Sequence, residues 1–168
     1  MSAGLQPLDG RLSVKGLLGQ GGMGEVHRAW DATLERAVAV KFLRPGDPKE
    51  TDRLLLEARL QARVDHPGIV RVLEVGSLEG RPCLVLQLVE GQSLALLASE
   101  LDLGEQVEAL RQAAAALHAA HLEGLVHRDV KPGNLLVERP RGAPLRAFVS
   151  DFGMARDEEG GLSRTGFA

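Results

Sequence analysis

His127-Arg128-Asp129-Val130-Lys131-Pro132-Gly133-Asn134 is the stretch on which the reading of the whole chain turns. It places a carboxylate, a lysine two residues on and an asparagine five residues on in one short polar loop between a helix-like and a strand-like segment. Phosphoryl transfer calls for such a set: a carboxylate to orient the attacking hydroxyl, a cation for the γ-phosphate and an amide oxygen for Mg2+. Five residue types fixed at set positions arise by chance on the order of once in three million starts, at ~1 in 20 per site. A polar turn with unrelated charges is the poorer explanation.

Working outward, Asp151-Phe152-Gly153 follows a short strand. A carboxylate at a strand end with glycine after it suits a metal ligand on a movable segment. Upstream, Val38-Ala39-Val40-Lys41 sets an ammonium inside a strand apolar enough to be buried. Such a charge needs a partner, and Glu57 in the following helix is available; a strand-end lysine reaching solvent is the plain alternative. Earlier still, Gly19-Gln20-Gly21-Gly22-Met23-Gly24-Glu25-Val26 is a GxGxxGxV run between two strands. Glycines let backbone approach phosphates where a Cβ would clash. Their position between strands, not between strand and helix, disfavours a dinucleotide fold. A glycine-rich hairpin accounts for that run nearly as well.

The 168 residues suffice for one domain with a core, and 44% hydrophobic with 26% charged is ordinary for a globular chain. Tyr is absent and the chain has one Trp and four Phe, so the core falls to Leu, Val and Ala. A net charge of −3 offers no basic face for nucleic acid. The lone Cys83 excludes an internal disulfide. No signal pattern or membrane-length apolar run is present, which fits a cytoplasmic location. Patterning predicts strands at 11–18, 25–30, 37–43, 69–75 and 82–89. A helix starts at Asp47-Pro48-Lys49-Glu50 and runs to about Val64. A second helix spans about 105–123, with Val107, Leu110, Ala114 and Leu117 at helical spacing, before short strands at 134–137 and 147–150. The order implies an α+β fold in two lobes: a five-stranded antiparallel sheet with one helix over 1–90, then a mainly helical part over 91–168.

These segments, in this order, resemble the protein-kinase family, and most of all bacterial eukaryotic-like Ser/Thr kinases. Lys131 two after Asp129 is the Ser/Thr-type choice. The resemblance implies ATP and Mg2+ as cofactors, protein substrates, and a pairing of two copies for autophosphorylation. By resemblance Leu18, Val26 and Ala39 line the adenine pocket above Leu136, the run Gly19, Gln20, Gly21, Gly22, Met23 and Gly24 covers the phosphates, and Gln87 to Val89 form the hinge behind gatekeeper Leu86. Lys41 and Glu57 form the activating ion pair. Asp129 is the catalytic base, Lys131 the γ-phosphate contact, and Asn134 and Asp151 the Mg2+ ligands. Arg128 answers to activation-segment phosphorylation, with Ser163 and Thr165 as the phosphosites.

Departures from the family pattern are specific. Gln61 stands where an apolar residue usually stacks toward Phe152, the interval from Lys41 to Glu57 is short, and that from Asn134 to Asp151 is long. The family's substrate-docking loop, its Ala-Pro-Glu motif and its later helices are absent from these residues. A nucleotide- or partner-binding fragment without catalysis is therefore the second reading. A small-molecule kinase is the third, opposed by Arg128 and by Asp151-Phe152-Gly153. The Val107–Leu117 helix face is expected to pack on those later helices, and each large apolar side chain left in water forgoes about 1.5–3 kcal/mol against a domain margin of about 5–15 kcal/mol. The 168-residue chain alone is thus expected to aggregate or depend on a partner. Calorimetry and sedimentation check this, and a soluble monomer with a sharp cooperative melt would refute it.

Overall fold

The computed structural model describes residues 5–21, 24–44 and 48–152, without the side chains of 48–50. Gly22, Met23, the expected helix cap at Asp47, and both expected phosphosites, Ser163 and Thr165, lie outside the described residues. Alternating apolar and polar residues build a six-stranded sheet from β1 (Gln6–Pro7), β2 (Leu12–Gly21), β3 (Gly24–Asp31), β4 (Arg36–Leu43), β5 (Val72–Leu78) and β6 (Arg81–Gln87), in the order β1-β5-β6-β4-β3-β2. The five expected strands pair antiparallel. The sixth, β1, is a correction: it joins the edge of β5 in parallel, with Gln6 beside Gly76. Both of its residues are exposed, so no hydrophobic pattern announces it; the buried Leu8 just after it supplies the anchor.

Period-two alternation divides β4 between two cores. Val38, Val40 and Phe42 point into a cluster with Leu8, Leu12 and Cys83. The Cys83 thiol is pushed up to about 11 by burial, which leaves it an inert strand hydrophobe. Leu43 points the other way, onto Leu55 and Ala58 of helix α1 (Pro48–Gln61). The helix stops short of Val64 because Arg63 and Val64 donate to carbonyls three residues back, tightening the chain before His66-Pro67.

The second half holds a short helix α2 (Leu94–Leu97), a long helix α3 (Leu103–Leu122) and a small sheet of β7 (Gln92–Ser93), β8 (Leu135–Glu138) and β9 (Arg146–Val149). A capping box opens α3: Asp102 accepts from the Glu105 amide at 2.8 Å and Glu105 accepts from the Asp102 amide at 3.0 Å. Its buried stripe is alanine, at 109, 113, 116 and 120, which lets the helix lie close to β9. Gln112 fixes that approach by accepting from the Ala147 amide at 2.8 Å and donating to the Leu145 carbonyl at 3.0 Å. Val107 and Leu110 are 57% and 53% exposed, on the face expected to pack elsewhere. Backbone contacts bring the halves together. Val70 and Val149 share a backbone hydrogen bond of 3.0 Å, and a Cβ on Gly91 would stand 2.2 Å from the Val137 carbonyl, so only glycine lets the chain cross β8 there.

Asp31, fully buried at the end of β3, is held by Arg11 Nη2 at 2.7 Å and caps the Thr33 and Leu34 amides at 3.0 and 3.1 Å; Arg11 also reaches Glu74 at 2.7 Å. The Arg11 hydrogen bond, ahead of the backbone amides, lowers the Asp31 carboxyl to about 2. Asp31→Ala is expected to lower stability by about 2–3 kcal/mol, because it removes charge-assisted hydrogen bonds and strands Arg11. Urea unfolding of the full-length protein reads this as a lower midpoint at unchanged slope. Since the folded value lies below the unfolded one, the contribution is present above about pH 4. It is lost as pH falls toward 2, and the variant should lack that part of the acid dependence.

Candidate active site

The loop from His127 to Asn134 is fixed by its own polar groups. Asp129 Oδ2 accepts from Lys131 Nζ at 2.7 Å and from Asn134 Nδ2 at 3.0 Å, and Asn134 Nδ2 also donates to the Asp129 carbonyl at 2.8 Å. A 3-10 turn at Pro132–Asn134 makes this possible by curling the chain back within five residues. Lys131's hydrogen bond is the largest cause holding the Asp129 carboxyl below its usual range, with Asn134 adding to it against the cost of burial.

His127 and Ser150 lock the loop to the end of β9. The buried His127 ring has Nε2 2.7 Å from the Ser150 carbonyl, and its Nδ1 accepts from the Asp129 amide at 3.2 Å. Those two bonds specify the neutral tautomer protonated on Nε2 and leave neither nitrogen for proton transfer, so His127 serves the packing of the loop. The Phe152 ring lies 4.7 Å from it, centroid to centroid. Ser150 in turn donates to the Asn134 carbonyl from its amide at 2.9 Å and its hydroxyl at 3.1 Å. Ser150 escaped the sequence reading because the groups it uses are mainly backbone, which no motif records. Arg128 and Asp151 both take positive φ, 65° and 61°, a conformation that non-glycine residues adopt mainly where the surroundings impose it.

The ion pairing departs from expectation. Lys41, 4% exposed in β4, does not pair with Glu57; its Nζ meets Asp151 Oδ1 at 2.5 Å. Glu57 instead meets Arg128 Nη1 at 3.2 Å. The left-handed turn at Asp151 is what delivers a carboxylate to the buried ammonium from 110 residues away, while α1 presents Glu57 toward the catalytic loop.

The expected nucleotide-binding residues divide by element. Strand register sets Val26 beside Lys41, and Ala39 beside Leu86, on the sheet face that carries Lys41. Leu18 lies half-exposed on β2, β6 ends at Gln87 with Val89 just beyond it, and half-buried Leu136 lies on β8 of the smaller sheet. Gly19 and Gly21 have open space where a Cβ would stand. Gly24 answers to a different constraint: at φ 141° its Cβ would lie 2.0 Å from the Phe42 carbonyl, so glycine there serves the strand pairing itself. Gln61 is buried and donates to the Val70 carbonyl at 2.8 Å, which explains how a polar residue is tolerated in that position.

Among the described residues no cluster of three His, Cys, Asp or Glu could hold a metal. Asn134 and Asp151 are nonetheless brought to one place by Ser150, which bonds the first and adjoins the second. With Asn134 Nδ2 turned to Asp129 and Asp151 Oδ1 turned to Lys41, each keeps a further side-chain oxygen. Two hard oxygen donors fit Mg2+, which takes one or two protein ligands and fills its shell with water and phosphate.

Known proteins are similar to this chain in sequence and in fold. Serine/threonine-protein kinase PknA of Mycobacterium tuberculosis is 41% identical over 160 residues, covering 89% of this chain and 36% of that protein. Serine/threonine-protein kinase pkn2 of Myxococcus xanthus is 39% identical over 155 residues, covering 89% of this chain and 18% of that protein. The chain therefore spans only a minor part of these curated relatives. The crystal structure of the Mycobacterium tuberculosis PknI kinase domain matches with a TM-score of 0.73 at 30% identity, over 88% of this chain and 61% of that one. The model of the protein kinase domain matches residues 12–167, spanning both the glycine run and the His127–Asn134 loop, and the chain belongs to that family.

Proposed function

We propose that this chain is the phosphoryl-transfer part of a protein serine/threonine kinase that uses ATP and Mg2+. Residues 1–90 form the nucleotide-binding lobe and 91–168 the part that carries the catalytic loop. The observation that carries the reading is the hydrogen-bonded set Asp129, Lys131 and Asn134, closed onto Ser150 next to Asp151. Asp129 is held ionised by Lys131, which suits it to orient a substrate hydroxyl and take its proton as the bond forms. Lys131 is 57% exposed by side chain and can turn from Asp129 to the transferring phosphate. Asn134 and Asp151 would hold the Mg2+, which supplies charge neutralisation on the phosphates when bound. Leu18, Val26, Ala39 and Leu136 enclose the adenine, the Gln87 and Val89 backbone pairs with it, and the Gly19–Gly24 run covers the phosphates.

The ion pairs support a resting arrangement. Lys41 and Arg128 face two carboxylates, Asp151 and Glu57, in one pairing; exchange to Lys41–Glu57 keeps Lys41 compensated and releases Asp151 to a metal and Arg128 to a phosphate, each of which supplies the opposite charge. Phosphorylation of Ser163 or Thr165 would draw Arg128 away from Glu57 and favour that exchange. No helix among the described residues is long and apolar enough to cross a membrane, and the proposed substrates are proteins.

Asp129→Asn in the full-length protein is expected to cut transfer from γ-labelled ATP to a protein substrate by about 10²–10⁴-fold while leaving nucleotide binding intact. Transfer that is undiminished by the substitution would overturn the assignment. Lys131→Ala should move the Asp129 titration upward toward the ordinary carboxylate range, since it removes the largest cause of the depression. Carboxyl-carbon NMR across the acid range reads this directly.

A further inference from the structure

A cavity of about 490 Å3 lies apart from Lys41, Asp129 and Asp151, between the start of β4, the stretch leading into β5 and the end of β6. Arg36, Arg71 and Arg146 line it over an apolar floor of Leu73, Leu88 and Phe148, and no carboxylate is among its lining residues. A neighbouring hollow of about 260 Å3 shares Pro67 and Arg146 with it and adds His66 and Arg111, the latter paired with Glu108 at 2.7 Å. The two form one groove of arginine on a chain whose net charge is −3.

The backbone builds this groove. The β5 ladder slips between Val72 and Glu74, and the unpaired Leu73 is turned outward to 36% exposure. Re-aiming a side chain is what such irregularities do. The Arg71 carbonyl accepts from the Gln87 amide at 2.9 Å, fixing one wall to the end of β6. The Arg146 guanidinium sits 5.9 Å over the Phe148 ring.

The arginines are available to a ligand to different degrees. Arg36 is exposed and has no ion-pair partner among the described residues. Arg71 pairs with Asp65 at 2.8 Å, but the two side chains are 59% and 86% exposed, and such surface pairs exchange partners at little cost. Arg146 neutralises the buried Glu138 carboxylate while 62% of its own side chain faces out. Guanidinium groups over an apolar floor favour carboxylates carried by a peptide with apolar side chains between them. They favour nucleic acid less, because Phe148 is the one aromatic ring in the lining and no row of stacking rings follows it.

We propose that this groove is a docking site for an extended acidic segment of a protein partner. Its wall includes Gln87 and Leu88, so a docked segment touches the same stretch that is proposed to hold adenine. The docking itself does not depend on catalysis.

Fluorescence anisotropy of the full-length protein with a labelled Glu/Asp/Leu peptide, against its Gln/Asn/Leu counterpart, tests the proposal. The acidic probe is expected to bind and to weaken as salt rises, and the neutral probe to fail. Arg36→Glu combined with Arg71→Glu should weaken binding by at least about tenfold, with the melting temperature unchanged. If that variant melts lower, Arg36→Gln with Arg71→Gln replaces it and should still weaken the probe severalfold. Equal binding of both probes, or undiminished binding by a folded variant, would overturn the proposal. So would competition by a single-stranded oligonucleotide at the same strength, which would make the groove a general polyanion surface.

Discussion

A buried ammonium in the middle of a β-strand cannot be left alone, and much of this structure follows from how Lys41 is satisfied. The strand around it is closed to water, with Val40 fully buried and Lys41 itself 4% exposed. Desolvating a lysine there without a counter-charge would cost several kcal/mol, comparable to the whole margin of a domain. The counter-charge arrives from Asp151, far along the chain, so the six-stranded sheet and the end of β9 must meet at one place. In this pairing the first half is tied directly to the segment that follows the His127–Asn134 loop.

That meeting is stiffened from below. Ser150, the residue before Asp151, bonds to both ends of the loop: His127 reaches its carbonyl, and its amide and hydroxyl reach the Asn134 carbonyl. With these contacts in place Arg128 and Asp151 hold left-handed backbone geometry that would be unfavourable in isolation. The polar network fixes the position of Asp129 to within hydrogen-bond tolerance, and positioning is most of what a phosphoryl-transfer site supplies.

The sequence was legible where chemistry demands given side chains at given spacings. Asp129, Lys131 and Asn134 could be read as one loop because the proposed phosphoryl transfer needs a carboxylate, a cation and an amide oxygen within a turn of each other. The five main strands showed as short apolar runs separated by turns. What stayed hidden depends on distances between remote residues. Lys41 had a carboxylate nearby in sequence, Glu57, and nothing in the residues says that Asp151 lies closer in space. Strands β1 and β7 are two residues each and carry no pattern of their own. On α3, the large residues Val107 and Leu110 drew the eye, yet the face against β9 is alanine, because only a small side chain lets the helix come that near.

The interval between Asn134 and Asp151 is spanned by a hairpin whose ladder, and not its tip, borders the site. Leu135 pairs with Val149, and Glu138 with Arg146, so β8 and β9 are zipped directly after Asn134 and directly before Ser150. The residues between the two strands, 139–145, lie at the far end of the hairpin, away from the loop. Their cost is the entropy of closing a longer loop, which grows only with the logarithm of its length, about 0.6 kcal/mol for each doubling. The Asn134–Ser150 bonds and the buried face of β9 do not sense that length. The two proposed metal ligands are held together by the ladder, whose ends adjoin Asn134 and Ser150, and not by the hairpin tip.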